Sequence, residues 1–244
     1  MRIHRFYVTE SVSNSFSIGD TISVRSLPLV HQWKNVFRFG RGDEIIIFNG
    51  ISGEQYRVRF SELTSKEANL EILEKQNGFG SPSREVTLYS ALIKKERFEW
   101  MVEKATEIGV SHFCPLITER IKMETLKIER AQKIIIEATE QSGWCRVPTI
   151  VEPLSLSVAL DQAKNPFVCD VGEPAARVLP KTADLSEISL FIGPEGGWSV
   201  AERELFAQKK IPTISLGRQT LRAETAALVA AAFTLLPWSS PKTQ

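Results

Sequence analysis

The chain has 244 residues, enough for one large domain or two smaller domains with buried cores. Hydrophobic residues make up 43% and charged residues 24%, a composition that excludes a disordered or fibrous chain. The formal net charge of +1 excludes a strongly basic protein, so contact with a nucleic acid would need positive groups that cluster in space.

The cysteines and histidines form no ligand pattern. There are three cysteines, and no pair has CxxC spacing, which argues against a disulfide framework or a zinc site. The histidines lie far apart, so no metal site is expected. This use of cysteine is typical of a reducing compartment, and we expect a cytoplasmic protein. The residues concerned are Cys114, Cys145, Cys169, His4, His31 and His112.

The opening stretch and the longest apolar run predict neither a signal peptide nor a membrane span. The opening stretch MRIHRFYVTE alternates polar and apolar residues and lacks the apolar core of a signal peptide. The longest apolar run, Ala226 to Leu236, is too short to span a bilayer. No membrane partner is expected.

Residues 1–76 predict a small β-rich domain. Four stretches, RIHRFYV, TISVR, EIIIFNG and EQYRVRF, have the pattern of short strands. A single helix is predicted over residues 29–38. Several short strands within so few residues favour a small barrel. The segment 77–85, NGFGSPSRE, combines glycine, proline and polar turn residues and is predicted to be a linker.

Residues 86–244 predict an α/β domain. The stretches VTLYSAL, HFCPLI, FVCDV and ISLFI read as strands. Helices are predicted from Phe98 to a stop at Gly109, over KIERAQKIIIEATEQS, and over 199–209 and 222–236. The alternation of strand and helix favours a largely parallel sheet.

The stretch FIGPEGGWSVAERE, residues 191–204, places a glycine-rich loop between a strand and a helix. Ser199 and Glu202 have the spacing of a capping box that starts the helix. Ligands of open α/β sheets favour this position, and glycine lets the backbone approach a ligand closely. The loop matches neither a P-loop nor GxGxxG, and Glu195 would repel a phosphate. A tight turn without a ligand is an equal alternative for this loop alone.

A second loop lies in SLGRQTLRAETAAL, residues 215–228. A helix is predicted to open near Arg222, with Glu224 in its first turn, where a carboxylate suits the helix dipole. Two glycine-containing loops at adjacent strand ends would make a two-sided cleft. The alternative for Arg222 is a surface salt bridge, and for the stretch AALVAAAF it is ordinary core or a subunit interface.

Together these loops resemble the SPOUT-class RNA methyltransferases. The resemblance is closest to the bacterial small-subunit ribosomal RNA methyltransferase E family, which methylates N3 of a uridine. It is carried by IGPEGGWS and SLGRQTLRAETAA, with support from KKERFEWMVEKATEIGV, PLITER, EATEQSGWCRVP and HRFYV. It runs through nearly the whole chain and is most specific in the two loops.

The resemblance implies an α/β domain with a trefoil knot, preceded by a small PUA-like barrel that helps grip RNA. It implies S-adenosylmethionine bound in the knot, a homodimer with its active site near the subunit interface, and 16S ribosomal RNA in the small subunit as substrate. It also implies the cofactor-binding residues, which are Ile192, Gly193, Pro194, Glu195, Gly196, Gly197, Leu216, Gly217, Leu221, Arg222, Thr225 and Ala226.

The reaction needs the N3 proton to leave while negative charge spreads onto the uracil oxygens. Arg222 is expected to stabilise that charge, and Glu224 is the candidate proton acceptor. For Glu224, helix capping or a salt bridge is the alternative, and water could be the base. The candidate RNA contacts are Arg5, Lys94, Lys95, Arg97, Arg120, Gln141 and Arg146. Arg5 is expected to be exposed, because the other face of its strand is apolar.

Three residues depart from the family pattern. Trp144 and Gln219 stand where arginine is common, and Ile121 replaces a frequent serine. Two fewer arginines could weaken RNA contact or change the substrate, so one alternative is action on another RNA, such as tRNA. Trp144 either stacks on a base or is a structural residue at a helix end. A non-catalytic RNA-binding module is the other alternative.

Overall fold

The computed structural model describes residues 3–9, 16–51, 53–78, 82, 84–120, 126–170 and 185–236. The chain divides into two compact units. The first comprises Met1–Ser81 with Thr139–Val147, and the second comprises Pro82–Ala138 with Pro148–Gln244. The division at Ser81 falls inside the predicted linker, but the return of the chain to the first unit at 139–147 had no signal in the sequence. Ile121, one of the three residues that depart from the family pattern, lies outside the described residues.

The first unit is built on a five-stranded sheet in the order β1-β3-β4-β5-β2. β1 and β3 are parallel, and the other neighbours are antiparallel. In the described pairing, β1 and β2 are the two edge strands of the sheet and do not pair with each other. The closed PUA-like barrel therefore stays a prediction. The elements are β1 (Arg5–Tyr7), β2 (Thr21–Val24), α1 (Leu27–His31), β3 (Glu44–Phe48), β4 (Glu54–Leu63) and β5 (Ala68–Asn77).

Two local features of this unit differ from the sequence prediction. The helix expected over 29–38 is α1 followed by a π-helical turn, Gln32–Val36, with Trp33 fully buried in the core. The strand β5 was not predicted, although Ala68, Leu70 and Ile72 alternate as buried residues along it. That period of two was a signal that could have identified the strand.

The second unit is a parallel α/β domain, which confirms the predicted fold class. Its sheet runs β12-β10-β11-β6-β7-β8, with β9 also paired to β7, and every described pair is parallel. The elements are β6 (Glu85–Ala91), α2 (Lys95–Ile108), β7 (His112–Ile117), α3 (Ile128–Ser142), β8 (Thr149–Ile150), β9 (Leu154–Ser155), α4 (Leu156–Gln162), β10 (Pro166–Cys169), β11 (Glu187–Ile192), α5 (Val200–Gln208), β12 (Thr213–Ile214) and α6 (Ala223–Leu235). The knot stays a prediction.

The central strands are buried because they are covered on both faces. β11 is buried from Ile188 to Ile192, and β6 is buried at its carboxyl end. Strands of this kind read as continuous apolar runs, which is how ISLFI was identified in the sequence. The short elements β8, β9 and α4 were not predicted, since two-residue strands carry no periodicity.

We predict that Gly109→Ala destabilises the second unit. Gly109 ends α2 at φ 109°, and its N–H donates to the carbonyls of Ala105 and Thr106. This left-handed conformation costs a residue with a Cβ about 1–2 kcal/mol. Calorimetry should show a fall in Tm of about 2–8 °C. The control Gly40→Ala adds a methyl group that meets nothing within 4 Å, and an equal loss in that variant would contradict the explanation.

Candidate active site

One cavity of about 270 Å³ lies at the carboxyl ends of β10, β11 and β12. The glycine-rich loop after β11 and the loop after β12 line it together. β10 lies between those two strands, so the expectation that the loops follow adjacent strands is wrong. The end of β10 instead supplies Cys169 and Asp170 to the lining.

The first wall of the cavity is shaped by Trp198. Its ring is buried, and its Nε1 donates to the carbonyl of Cys169 at 3.2 Å, which connects the wall to β10. A Cβ added to Gly193 would lie 2.9 Å from Cε2 of Trp198. Glycine is therefore required at 193 because the indole occupies the space of a side chain.

The helix that follows the first loop begins as the sequence predicted. Ser199 Oγ accepts from Glu202 N at 3.1 Å, and Glu202 Oε2 accepts from Ser199 N at 2.7 Å. Glu202 is buried and its other oxygen accepts from Glu119 N at 3.0 Å. This carboxylate therefore closes the capping box and also holds the segment after β7 against α5.

A charged pair that was not predicted lies in the cavity wall. Arg203 Nε is 3.0 Å from Asp170 Oδ2, and its Nη2 donates to Oδ1 at 3.2 Å, so the ion pair is bidentate.

Burial and the nearby Asp170 raise the pKa of Cys169, another lining residue, to about 12, so this thiol stays protonated. A thiolate nucleophile is thereby excluded from the cavity at neutral pH.

Arg97, at the start of α2, connects the first loop to α6. Its Nη1 donates to Oε1 of Glu195, and its Nε lies 3.8 Å from Oε1 of Glu224. Glu224 is 6% exposed, and its Oε2 has no hydrogen-bond partner within the described part of the chain. A buried carboxylate oxygen without a partner is energetically costly, so the environment of Glu224 is unusual for an acidic side chain.

Arg120 holds the same loop from another element. Its Nη1 donates to the carbonyl of Gly196. Arg97 and Arg120 were both predicted as RNA contacts, and both instead contact the wall of the cavity in this structure. Contact with RNA stays a prediction for each of them.

The remaining predicted RNA contacts are spread over both units. Lys94 and Lys95 are exposed at the start of α2. Gln141 and Arg146 are also exposed, and both have partners within the protein. These four stay predictions.

The expectation that Arg5 is exposed is wrong. Its guanidinium is half-buried and donates to the carbonyls of Thr139, Glu140 and Trp144 at 3.1–3.4 Å. It also lies 4.9 Å from the centre of the Phe48 ring. A cation near the last carbonyls of a helix is stabilised by the helix dipole, so Arg5 secures the end of α3 within the first unit. Trp144 lies just past that end, half-buried, which agrees with a structural role.

Most of the predicted cofactor residues line one cavity. Ten of the twelve contribute to it: Ile192, Gly193, Pro194, Glu195, Gly196, Gly197, Leu216, Gly217, Leu221 and Ala226. The other two, Arg222 and Thr225, are absent from the lining. Arg222 is exposed as the N-cap of α6, and Thr225 is half-buried in its first turn.

Several lining residues were missed by the sequence analysis. They are Cys169, Asp170, Trp198, Arg203, Ser215 and Ala223. Cys169 and Asp170 lie near the end of the predicted strand FVCDV, so the rule that ligands lie at strand ends could have identified them. Arg203 had no such signal, because its position depends on how α5 packs.

Neither a metal cluster nor a membrane helix emerges from the described residues. Within them, no group of three or more His, Cys, Asp and Glu side chains could hold a metal ion. The described helices likewise include none that is long and apolar enough to cross a bilayer.

Comparison with known proteins assigns the chain to a class. The family described as RNA methyltransferase domain matches residues 80–235, so the chain belongs to the RNA methyltransferases. A ribosomal RNA small subunit methyltransferase E from Rickettsia conorii is 30% identical over 237 residues, covering 95% of each chain. The same enzyme from Synechocystis is 34% identical over 225 residues, covering 88% of this chain and 73% of the relative.

A solved structure agrees with this assignment. The ribosomal RNA small subunit methyltransferase E from Neisseria gonorrhoeae, bound to S-adenosylmethionine, superposes with a TM-score of 0.84 at 28% identity, covering 95% of this chain and 96% of that one. Within its class, the chain therefore belongs to the ribosomal RNA small subunit methyltransferase E family. The predicted family and the predicted enzyme class are confirmed.

We predict that Gly193→Ala damages the cavity while Gly196→Ala does not. The first methyl group would overlap the Trp198 ring, whereas the second would lie 3.5 Å from Arg120 Cδ, an ordinary contact. Overpacking of this kind forces the backbone to shift. In calorimetric titration with S-adenosylmethionine, Gly193→Ala should lower affinity about tenfold or more. Equal affinities for the two variants would contradict this account of the wall.

Proposed function

We propose that the protein transfers the methyl group of S-adenosylmethionine to N3 of a uridine in 16S ribosomal RNA of the small subunit. The observation that carries this proposal is that the two loops on which the family resemblance rests wall the same cavity. The relative from Neisseria gonorrhoeae holds S-adenosylmethionine. A relative from Legionella pneumophila, 26% identical with a TM-score of 0.81 and covering 95% of this chain and 96% of that one, also holds it.

The charges around the cavity suit this cofactor. S-adenosylmethionine carries a sulfonium and an ammonium cation together with one carboxylate. The lining offers two carboxylates, Asp170 and Glu195, and one guanidinium, Arg203. Opposite charges within a few ångströms attract strongly in a partly desolvated site.

Glu224 is the proposed proton acceptor. It is buried, its Oε2 has no partner among the described residues, and it lies in the first turn of α6. The helix N-terminus and Arg97 place positive charge near this carboxylate. A free acceptor atom is what removal of the N3 proton requires.

Arg222 is the proposed stabiliser of the charge on the uracil oxygens. It is exposed at the N-terminus of α6, two residues before Glu224. A guanidinium stays protonated at neutral pH, so it can neutralise charge but cannot act as the base. In this proposal Arg222 stabilises the charge and Glu224 removes the proton.

We predict that Glu224→Gln slows methyl transfer by about 10²–10⁴-fold, the usual contribution of general-base catalysis. Cofactor affinity should change little, since Glu224 is not part of the lining. Small subunits from a strain without its own methyltransferase E serve as substrate, and N3-methyluridine in 16S ribosomal RNA is measured by nucleoside mass spectrometry. The control is Glu204→Gln, which changes an exposed carboxylate on α5.

The same assay tests the proposed substrate. Wild-type protein should produce N3-methyluridine in the 16S ribosomal RNA of the small subunits and none in tRNA offered in parallel. Methylation of tRNA alone, or of another atom of the base, would overturn the proposed specificity. Full activity of Glu224→Gln would remove Glu224 from the mechanism.

We also propose that the protein is a homodimer that pairs through α6. This helix is almost wholly apolar, yet its Phe233 is 55% exposed, and Leu236, which follows its last residue, is 45% exposed. Trp100, on the α2 helix that packs against α6, is 45% exposed as well. Exposed apolar residues that recur along adjoining helices are typical of a surface covered by another chain.

We predict that Phe233→Asp dissociates the dimer. Burying an unpaired carboxylate in an apolar interface is strongly unfavourable. Sedimentation should show a dimer for the wild type and a monomer for this variant. The control Val200→Asp alters a residue that is 71% exposed on α5 and should leave the dimer intact. A wild-type protein that sediments as a monomer would contradict the proposal.

A further inference from the structure

We propose that the segment of residues 31–41 in the first unit is a binding surface for ribosomal RNA phosphates. We call it the basic segment, and its cations are Lys34, Arg38 and Arg41. The inference rests on the proposed action on ribosomal RNA and adds a surface that the candidate contacts did not include. Its starting point is a local excess of charge, because residues 21–42 contain no Asp or Glu.

The cations of the basic segment lack acidic partners. Lys34, Arg38 and Arg41 are exposed, and none forms an ion pair or side-chain hydrogen bond with any described residue. Three unpaired cations within eight residues therefore make a local positive field that a phosphate backbone would complement.

Several other cations of this unit form ion pairs. Arg57 Nη2 lies 2.6 Å from Glu44, Arg59 Nε lies 3.7 Å from the same carboxylate, and Lys75 lies 2.7 Å from Glu54. These pairs neutralise the exposed charges of β4 and β5. The basic segment therefore differs from β4 and β5, whose cations named here are paired with carboxylates.

Aromatic residues hold the basic segment in place. Trp33 is fully buried, while Phe37 and Phe39 are half-buried against the same core and stack on each other with ring centres 5.3 Å apart. Lys34 and Arg38 are adjacent in sequence to these residues. Their backbone positions are therefore fixed before RNA arrives, which lowers the entropic cost of binding.

The backbone at Arg38 is strained. Its φ is 59°, a left-handed conformation that is uncommon for a residue with a side chain. Backbone hydrogen bonds from Phe37 N to Gln32 O and from Phe39 N to Trp33 O, both 3.0 Å, hold it there. Strain that the surrounding structure maintains is common at functional positions, and here it fixes the backbone that carries an exposed arginine.

The test compares two double variants with the same change of charge. Arg38→Gln with Arg41→Gln removes two unpaired cations, and Arg57→Gln with Arg59→Gln removes two paired ones. Equilibrium binding to small subunits that lack the modification is measured over a range of KCl concentrations. The first variant should bind about tenfold more weakly near physiological salt, and its salt slope should be smaller by about 1.4–1.8. The second should bind like the wild type.

A third variant separates RNA contact from stability. Arg38→Asn removes the cation but tolerates the left-handed conformation better, so it should bind more weakly while Tm is equal to or higher than that of the wild type. An unchanged affinity and salt slope for the first double variant would overturn the proposal, as would an equal loss in the control. This assay measures binding alone. It therefore tests whether the basic segment contacts RNA, whether or not N3 proves to be the methylated atom.

Discussion

The contact between Gly193 and Trp198 is the constraint on which the cavity depends. The indole takes the space of a side chain at 193 and donates to the carbonyl of Cys169, so the ends of β10 and β11 share one anchor. The glycine-rich loop can then follow the ring closely and present its backbone to the cavity. The capping box at Ser199 starts α5 immediately afterwards and fixes the direction in which the chain leaves.

The loop is also held from outside by two arginines. Arg97 bonds to Glu195, and Arg120 bonds to the carbonyl of Gly196, so α2 and the segment after β7 both restrain the same wall. Arg97 in addition faces Glu224, the buried acid of α6. The proposed proton acceptor and the cofactor wall thus share one cation, which links the geometry of the cofactor loop to the geometry of the catalytic residue.

Local sequence patterns were enough to predict much of the fold and many residues of the cavity. The apolar run of β11, the helix stop at Gly109 and the capping box follow from rules that involve a few neighbouring residues, and the structure has all three. Sequence could not predict that β10 lies between the two loop-bearing strands, or that Arg203 reaches Asp170, because both depend on the order of strands in the sheet. Arg5 was misjudged because strand alternation says nothing about a helix end returning to cover it. The net charge of the whole chain obscured the basic segment, because acidic residues elsewhere balance its cations.

The central claim is that the loops after β11 and β12 enclose the methyl donor together. A crystal structure of the protein grown with S-adenosylmethionine tests it most directly. The account predicts the cofactor between Gly193–Gly197 and Leu216–Leu221, in contact with the backbone of both loops and with a cationic group near Asp170 or Glu195. Cofactor density elsewhere on the chain, or contact with one loop alone, would contradict it.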